Sequence, residues 1–466
     1  MKKTKIICTL GPAAGTKQKI IELSKAGMNA ARINMSHADT DTMMGYIKEV
    51  EKANGELPFP IPIILDTKGT ELRVEELSSP IEVVAGENFE LRFGKVRRTT
   101  NKGVAMNTNI FKALKQGMKI FIDDGNIEMF VEKHHAEWAM CKVVTSGAIK
   151  SRKSINIPGL EMDLSGITKK EMEDIEFAIK HGVRIFTLSF IRHAAEVEKV
   201  RKVADKMRTY VFLIAKIEDA IGAENLDEIL EASDGIMVAR GDLGAEVPLE
   251  DVPLLQRDII NRCREKGKPV IVATQMMESM IESPVPTRAE VSDVATAVSQ
   301  KTDLIMLSAE TSVGKYPVRC VEAMTKICNR MEREEKFIMP LRGEEKRSIR
   351  EEITLAASML ARNLGAKAII VFTSTGRLAR LTSKYRPTTP VFAFTSYDQV
   401  NHFNQLSRGV CSYKAGLSDH SRENISNAID RLKTDGFVKN EDLVVVISDV
   451  FKGHKESQLI EVKKVR

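Results

Sequence analysis

Short apolar runs rich in β-branched residues recur along the chain, each followed by a segment of helical character. The runs lie at residues 5–10, 30–35 and 61–65, and again at 183–190, 210–215, 235–238, 269–274 and 303–308. They are continuously apolar, not alternating, which predicts strands buried on both faces of a parallel sheet. Three runs plus five make eight, the strand count of a closed (β/α)8 barrel interrupted after its third strand. An open doubly wound sheet is the structural alternative. The barrel is favoured because polar residues crowd the carboxyl ends of the runs: Arg32, Asn34 and Ser36 after the second, Asp66 after the third, Lys216 and Glu218 after the fifth.

Between the third and fourth runs the pattern changes. Residues 88–93, 119–123 and 140–144 read as short strands separated by turns, which predicts a β-rich insert, a small barrel or sandwich. After residue 332 the chain becomes strongly charged and contains Pro340 and Gly343, as a linker does. Beyond it, strand-like runs at 368–372, 391–394, 409–413 and 443–447 predict a separate open-sheet α/β unit. The expected division is therefore residues 1–69 with 164–338 for the barrel, 70–163 for an inserted lid and 339–466 for a C-terminal regulatory unit.

Composition narrows the function classes. A net charge of +6 over 466 residues, with no block of lysines or arginines, gives nucleic-acid binding little support. No apolar run reaches the ~18 residues of a membrane span, and the apolar run at the N-terminus is too short for a signal peptide. The six cysteines are scattered without a CxxC pair, which fits a reducing cytoplasm.

The chemistry concentrates in one predicted β-α-β unit. Lys216-Ile217-Glu218 ends one strand, and Ala239-Arg240-Gly241-Asp242-Leu243-Gly244 ends the next. Two carboxylates without histidine or cysteine suit a hard divalent ion, Mg2+ or Mn2+. A lysine beside such an ion suits an oxyanion or a transferring phosphoryl group. A buried Lys–Glu pair with an Asp helix cap is the plainer reading of the same residues.

Together these motifs resemble the pyruvate kinase family, in order and over nearly the whole chain. They are Ile6-Ile-Cys-Thr-Leu-Gly-Pro12, Gly27-Met-Asn-Ala-Ala-Arg-Ile-Asn-Met-Ser-His37, Leu65-Asp-Thr-Lys-Gly69, Asn156-Ile-Pro-Gly159, Ser189-Phe-Ile-Arg192, Lys216-Ile-Glu218, Met237-Val-Ala-Arg-Gly-Asp-Leu-Gly244 and Ala273-Thr-Gln-Met-Met-Glu-Ser-Met280. The resemblance implies phosphoryl transfer from phosphoenolpyruvate to ADP, giving pyruvate and ATP. It implies that Glu218 and Asp242 bind Mg2+, that Lys216 and Arg32 are catalytic, and that Thr274 helps deliver a proton to the enolate. Substrate would contact Arg32, Lys216, Gly241, Asp242 and Thr274. Asn34, Ser36, Asp66 and Thr67 would bind K+, and Glu71 would mark dependence on that ion. Asn34, His37, Arg73 and Lys153 would face ADP or ATP. The family is usually a cytoplasmic homotetramer regulated by a phosphorylated metabolite. The loop Thr373-Ser374-Thr375-Gly376-Arg377 would hold that effector.

Three departures from the family pattern stand out. Thr70 follows Lys68-Gly69 where proline is usual, and Ala309 stands where glycine is usual. The tail from Ser448 to Lys455 lacks the glycine-rich ending, which weakens a sugar bisphosphate as effector and favours a monophosphate. Two rivals remain open on sequence. One is another phosphoenolpyruvate- or pyruvate-type barrel without a nucleotide, such as an aldolase or mutase; the other is a non-catalytic metabolite sensor.

Overall fold

The computed structural model describes residues 1–69, 72–94, 102–123, 125–160, 167–334, 347–418, 420–448 and 459–466. Thr70, Glu71 and almost all of the altered tail lie outside them. Eight parallel strands close a barrel: β1 (Lys5–Thr9), β2 (Ala30–Asn34), β3 (Ile63–Asp66), β4 (Ile185–Leu188), β5 (Phe212–Ile217), β6 (Gly235–Ala239), β7 (Val270–Ala273) and β8 (Leu304–Leu307). Closure is direct, with Lys5 opposite Leu304 and Cys8 opposite Leu307. The third and fourth strands are also direct neighbours, Asp66 opposite Thr187, although the insert separates them in sequence.

The apolar continuity of the strands is accounted for by two cores. One face of each strand packs on the helical ring, where Ile6, Ile33, Leu65, Leu213 and Val272 are buried. The other fills the barrel interior with Ile7, Ile64, Ile185, Phe212, Ile214, Met237, Ile271 and Leu304. Phe403 and Leu406 from the C-terminal unit join that interior cluster from the amino end of the barrel. The helices begin where the sequence supplies caps. Thr168 and Thr287 each form a capping box with Glu171 and Glu290, satisfying amide groups that the first turn leaves unpaired.

Between the third and fourth barrel strands, the chain forms a six-stranded sheet and a two-stranded sheet. Both pack around one apolar core that includes Phe89, Phe111, Ile120, Met129 and Ile155. Near the C-terminus, four parallel strands and one antiparallel edge strand, Leu459–Lys464, form an open sheet.

The C-terminal unit is seated on the amino end of the barrel through buried ionic contacts. Asp303 accepts from both terminal nitrogens of Arg386, at 3.0 and 2.7 Å, and from the backbone N–H of Arg408 at 3.0 Å. The Lys5 ammonium donates to the carbonyl oxygen of Val410 at 2.5 Å. Among the described residues no helix is long and apolar enough to cross a membrane.

Candidate active site

The carboxyl ends of the first six strands bring one charged cluster together. The strand register sets its layout: Thr9 lies opposite Arg32, Asn34 opposite Asp66, and Asp66 opposite Thr187. Asp66 is the hub, fully buried. Its Oδ2 accepts from Arg32 Nε at 2.7 Å and also from Arg32 Nη2. Its Oδ1 accepts from Thr187 Oγ1 at 2.6 Å and lies 3.4 Å from Lys216 Nζ. Arg32 Nη1 donates to Thr9 Oγ1 at 2.9 Å, so the guanidinium is fixed from two sides. Two donors of one planar guanidinium converging on a single carboxylate oxygen, with a third on Thr9, orient an arginine in a way a lysine cannot match.

Lys216 reaches into the same cluster. Its ammonium lies 3.0 Å from Glu218 Oε1 and donates to Ser189 Oγ at 2.8 Å. Burial alone would lower the Lys216 pKa, but Asp66 and Glu218 outweigh it, so the group stays protonated. Burial alone would likewise raise Asp66, yet Arg32 and Lys216 hold it below the usual carboxylate range. Glu218 differs. Burial pushes its carboxyl up, Lys216 opposes this, and the negative charge of Asp242 adds to the rise. The second oxygen of Glu218 accepts from the Phe190 N–H at 2.6 Å.

Glu218 and Asp242 are thus two like charges close enough to disturb one another, a repulsion that a cation between them relieves. Both donors are hard oxygens, which suits Mg2+ or Mn2+. Among the described residues no group of three or more His, Cys, Asp or Glu is disposed to hold a metal. Two carboxylates from protein, with the rest from substrate and water, is a usual arrangement for Mg2+.

Thr274 sits on a strained turn. Its φ is +65° and that of Gln275 is +52°, a region that costs a β-branched residue most. The Thr274 hydroxyl accepts from the Gly241 N–H at 2.8 Å and donates to the Ala273 carbonyl at 2.6 Å. Arg240 stabilises the turn by donating to the Thr274 carbonyl at 2.6 Å and the Gln275 carbonyl at 3.1 Å, while Asp293 holds its other nitrogen at 2.7 Å. Gly241 and Asp242 lie in the first turn of the short helix Arg240–Glu246.

The potassium candidates occupy two neighbouring strand ends. Asn34 Oδ1 accepts from the Ser36 N–H at 3.1 Å. The Thr67 hydroxyl accepts from the Ser189 N–H at 3.1 Å, and its carbonyl accepts from the Ser189 hydroxyl at 2.7 Å. Asp66 is the most heavily engaged of the four. The His37 N–H bonds to the Asn34 carbonyl at 3.2 Å. The two insert cations lie within the insert's own network: Lys153 pairs with Asp123 at 2.6 Å, and Arg73 Nη1 donates to the Arg152 carbonyl at 2.7 Å. Ala309, where the family has glycine, opens the short helix Ala309–Ser312 without a positive φ, so alanine fits there unstrained.

In the C-terminal unit, Ala368–Phe372 runs into the expected loop. Gly376 takes a left-handed conformation, φ +76°, ahead of the helix Arg377–Lys384. Its N–H bonds to the Thr373 hydroxyl at 3.1 Å, and the Arg377 N–H bonds to the Thr375 hydroxyl at 3.3 Å. A cavity of about 170 Å³ lies near the carboxyl ends of the same sheet, lined by Phe372, Phe394, Tyr413 and Arg431 among others.

Sequence reasoning did not assign Arg240, Thr187 or Ser189 to the site. Arg240 and Ser189 lie inside motifs quoted above, so the signal was adjacency to an assigned residue. Thr187 carried no signal beyond its place near a strand end.

A closed barrel with charged side chains gathered at its carboxyl mouth, and a β-rich unit inserted after its third strand, is the architecture of a barrel enzyme. The family model described as "Pyruvate kinase, barrel domain" matches residues 1–321, and "Pyruvate kinase, alpha/beta domain" matches 351–462. A pyruvate kinase of Clostridium acetobutylicum is 40% identical over 97% of this chain and 96% of its own length. One from Bacillus licheniformis is 39% identical over 96% of this chain and 77% of its own. A crystal structure of a pyruvate kinase from Cryptosporidium parvum superposes with a TM-score of 0.92 at 33% identity, covering 100% of this chain and 96% of that one. The chain belongs to the pyruvate kinase family, and is with it a phosphotransferase.

Proposed function

We propose that this chain transfers the phosphoryl group of phosphoenolpyruvate to ADP, forming pyruvate and ATP. The observation that carries this reading is the Lys216 ammonium, held protonated between Asp66, Glu218 and Ser189 beside the fixed guanidinium of Arg32. As the bond between phosphorus and the enol oxygen breaks and the bond to the ADP oxygen forms, charge spreads over the phosphoryl oxygens and the enolate. Lys216 faces that charge, and Arg32 binds the phosphate. Gly241 and Asp242, in the first turn of their helix, hold the carboxylate end of the substrate. Thr274 stands where a proton is delivered to the enolate carbon, completing pyruvate.

Glu218 and Asp242 would hold Mg2+ or Mn2+, which when bound neutralises charge on substrate oxygens. Asn34, Ser36, Asp66 and Thr67 would hold K+. Asn34, His37, Arg73 and Lys153 would contact the nucleotide, the last two reaching it when the insert swings over the barrel mouth. The working division is residues 1–69 with 164–338 as catalytic barrel, 70–163 as lid and 339–466 as regulatory unit, in a cytoplasmic homotetramer.

The loop from Thr373 to Arg377 would bind a phosphorylated effector, since backbone N–H groups around a left-handed glycine make a phosphate nest. A monophosphate is favoured, and by linkage it and phosphoenolpyruvate should tighten one another. Thr375→Glu would put a like charge in the nest and abolish activation while sparing basal activity. A set of sugar phosphates and nucleoside monophosphates that moves neither kinetics nor melting temperature would refute this site.

The deciding assay is ATP formation from phosphoenolpyruvate and ADP with Mg2+ and K+, on the wild type and Asp242→Ala. Robust turnover that the substitution nearly abolishes supports the reading. Turnover of phosphoenolpyruvate without ATP would favour the nucleotide-free barrel enzymes, and near-normal turnover of the variant at saturating Mg2+ would remove Asp242 from the metal site.

A further inference from the structure

Both necks of the insert are gripped by glutamates of the barrel. On the outgoing neck the Gly69 N–H donates to Glu171 Oε1 at 2.7 Å. Glu171 is committed already, since it closes the capping box of Lys169–Lys180. Gly69 itself is locked in place: its φ is +73°, and a Cβ there would stand 2.5 Å from the Phe190 ring and 2.7 Å from Ser189 Cβ. The return neck is held differently. Strand Ile155–Asn156 pairs with Lys119–Ile122 inside the insert, and Ile157 and Leu160 are buried in the insert core. Asn156 Nδ2 then reaches out of the insert to donate to Glu246 Oε1 at 3.4 Å. Burial and the neighbouring Asp219 push the Glu246 carboxyl up to about 7, and the Ile157 backbone N–H, which lies against the same carboxylate, opposes that rise.

Glu246 is the last residue of the helix that begins Arg240-Gly241-Asp242. About two turns of helix therefore have the candidate metal and substrate groups at one end and the grip on the insert at the other. The charged groups facing Glu246 are Asp219 and Arg192, which pair with one another at 2.5 Å. Asn156 Oδ1 and Arg192 Nη1 are buried in this junction without a hydrogen-bond partner among the described residues, so it retains bonding capacity for a shifted insert. The two insert cations read as nucleotide contacts lie just upstream: Lys153 is three residues before Asn156, and Arg73 bridges to Ser154 across the insert's base.

We propose that Glu246 is a positioning residue for phosphoryl transfer, tying the return neck of the insert to the helix that carries Gly241 and Asp242. It touches neither substrate nor reacting atoms. It sets where the insert rests over the barrel mouth and thereby where Lys153 and Arg73 meet the nucleotide, as hinge residues remote from the chemistry do in other lidded enzymes. This rests on the phosphoryl-transfer reading above. A role confined to stabilising the short helix would affect both substrates alike, whereas a grip on the insert falls mainly on the nucleotide.

The test compares wild type, Glu246→Ala and Glu246→Gln in ATP formation, with KM for ADP and for phosphoenolpyruvate measured separately, and with hydrogen exchange at the Ile157 amide. Glu246→Ala is expected to raise KM for ADP roughly fivefold, the scale of one lost hydrogen bond. KM for phosphoenolpyruvate should move less than about twofold. Exchange at Ile157 should quicken, and Glu246→Gln, whose carbonyl still accepts from the neck, should recover most of the loss. A folded Glu246→Ala enzyme with both KM values and kcat within about twofold of wild type overturns the proposal, and so do equal losses for the two substrates. If that variant does not fold, Asn156→Ala carries the same comparison: a raised KM for ADP supports the grip and an unchanged one overturns it. A wild type that forms no ATP, with exchange at Ile157 still quickened by Glu246→Ala, would instead refute the phosphoryl-transfer reading and leave the grip standing.

Discussion

The guanidinium of Arg240 donates to the carbonyl oxygen of Thr274 across the barrel mouth, at 2.6 Å, and thereby fastens a turn that would otherwise relax. Two consecutive non-glycine residues there hold positive φ, a strain of the order of ~1–3 kcal/mol each that persists only where the surroundings over-determine it. Lysine at this position could not reach the Thr274 and Gln275 carbonyls and Asp293 together. We expect Arg240→Lys to fold and to lose turnover by at least ~10-fold, with a smaller change in KM for phosphoenolpyruvate, because the Thr274 hydroxyl drifts from its place. Steady-state kinetics with unchanged kcat would show that Asp293 and the strand ends hold the turn without Arg240.

Lys216 carries a sharper expectation. Three of its neighbours, Asp66, Glu218 and Ser189, are placed to keep an ammonium charged in a buried site. Lys216→Met removes that charge and should reduce kcat by orders of magnitude with a smaller effect on substrate affinity. A variant in which only KM rises would make this lysine a binding residue.

Potassium is expected to activate. Asn34 and Asp66 are register partners at adjacent strand ends, and Ser36 and Thr67 follow them closely in the chain. Activity in tetramethylammonium buffer should rise on adding K+ and rise much less with Na+. Equal activity without K+ would contradict the assignment. Glu71, where a lysine would supply the positive charge itself, lies outside the described residues, and Glu71→Lys should shift the enzyme toward K+ independence.

Acid should loosen the C-terminal unit through Glu351. Burial alone would raise this carboxyl, but the Ser348 N–H and hydroxyl, each at 2.9 Å, and the Lys384 ammonium at 3.0 Å draw it down to about 2 from an ordinary 4.5. A folded pKa below the unfolded one contributes stability that is fully present above pH 4.5 and is lost as pH falls toward about 2. Denaturation of wild type and Glu351→Gln should therefore differ at pH 7 and converge as pH drops through 4.5 to 3. A gap that stays constant to pH 3 would assign the loss to packing.

The barrel was legible because burial on two faces leaves a continuous apolar run, and all eight runs became strands. Their ends moved where local chemistry outweighed hydrophobicity. The run at 183–190 yields only Ile185–Leu188, since the Ser189 N–H turns to the Thr67 hydroxyl and Phe190 adopts φ +52°. The helical segment between the fifth and sixth strands is split into Ala220–Glu224 and Leu226–Ala232 at Asn225, which donates its side-chain amide to the Arg192 carbonyl at 3.0 Å. The edge strand Leu459–Lys464 gave no strand signal, because edges are protected by charge and this one carries Glu461, Lys463 and Lys464. Within the site, residue types at strand ends could be read, but not the partnerships among them. That Asp66 joins Arg32 to Lys216 depends on strands 34 and 150 residues apart in the chain meeting at one rim.

Closure between the first and last barrel strands also has a history. The strand Lys5–Thr9 leaves the ribosome close to 300 residues before its partner Leu304–Leu307. At synthesis rates of ~5–20 residues per second, the first strand waits roughly 15–60 s with one apolar edge unmatched. An open parallel edge of this kind is sticky, so nascent chains of this protein should depend on chaperones most heavily just before residue 304 is made and much less once it is in place.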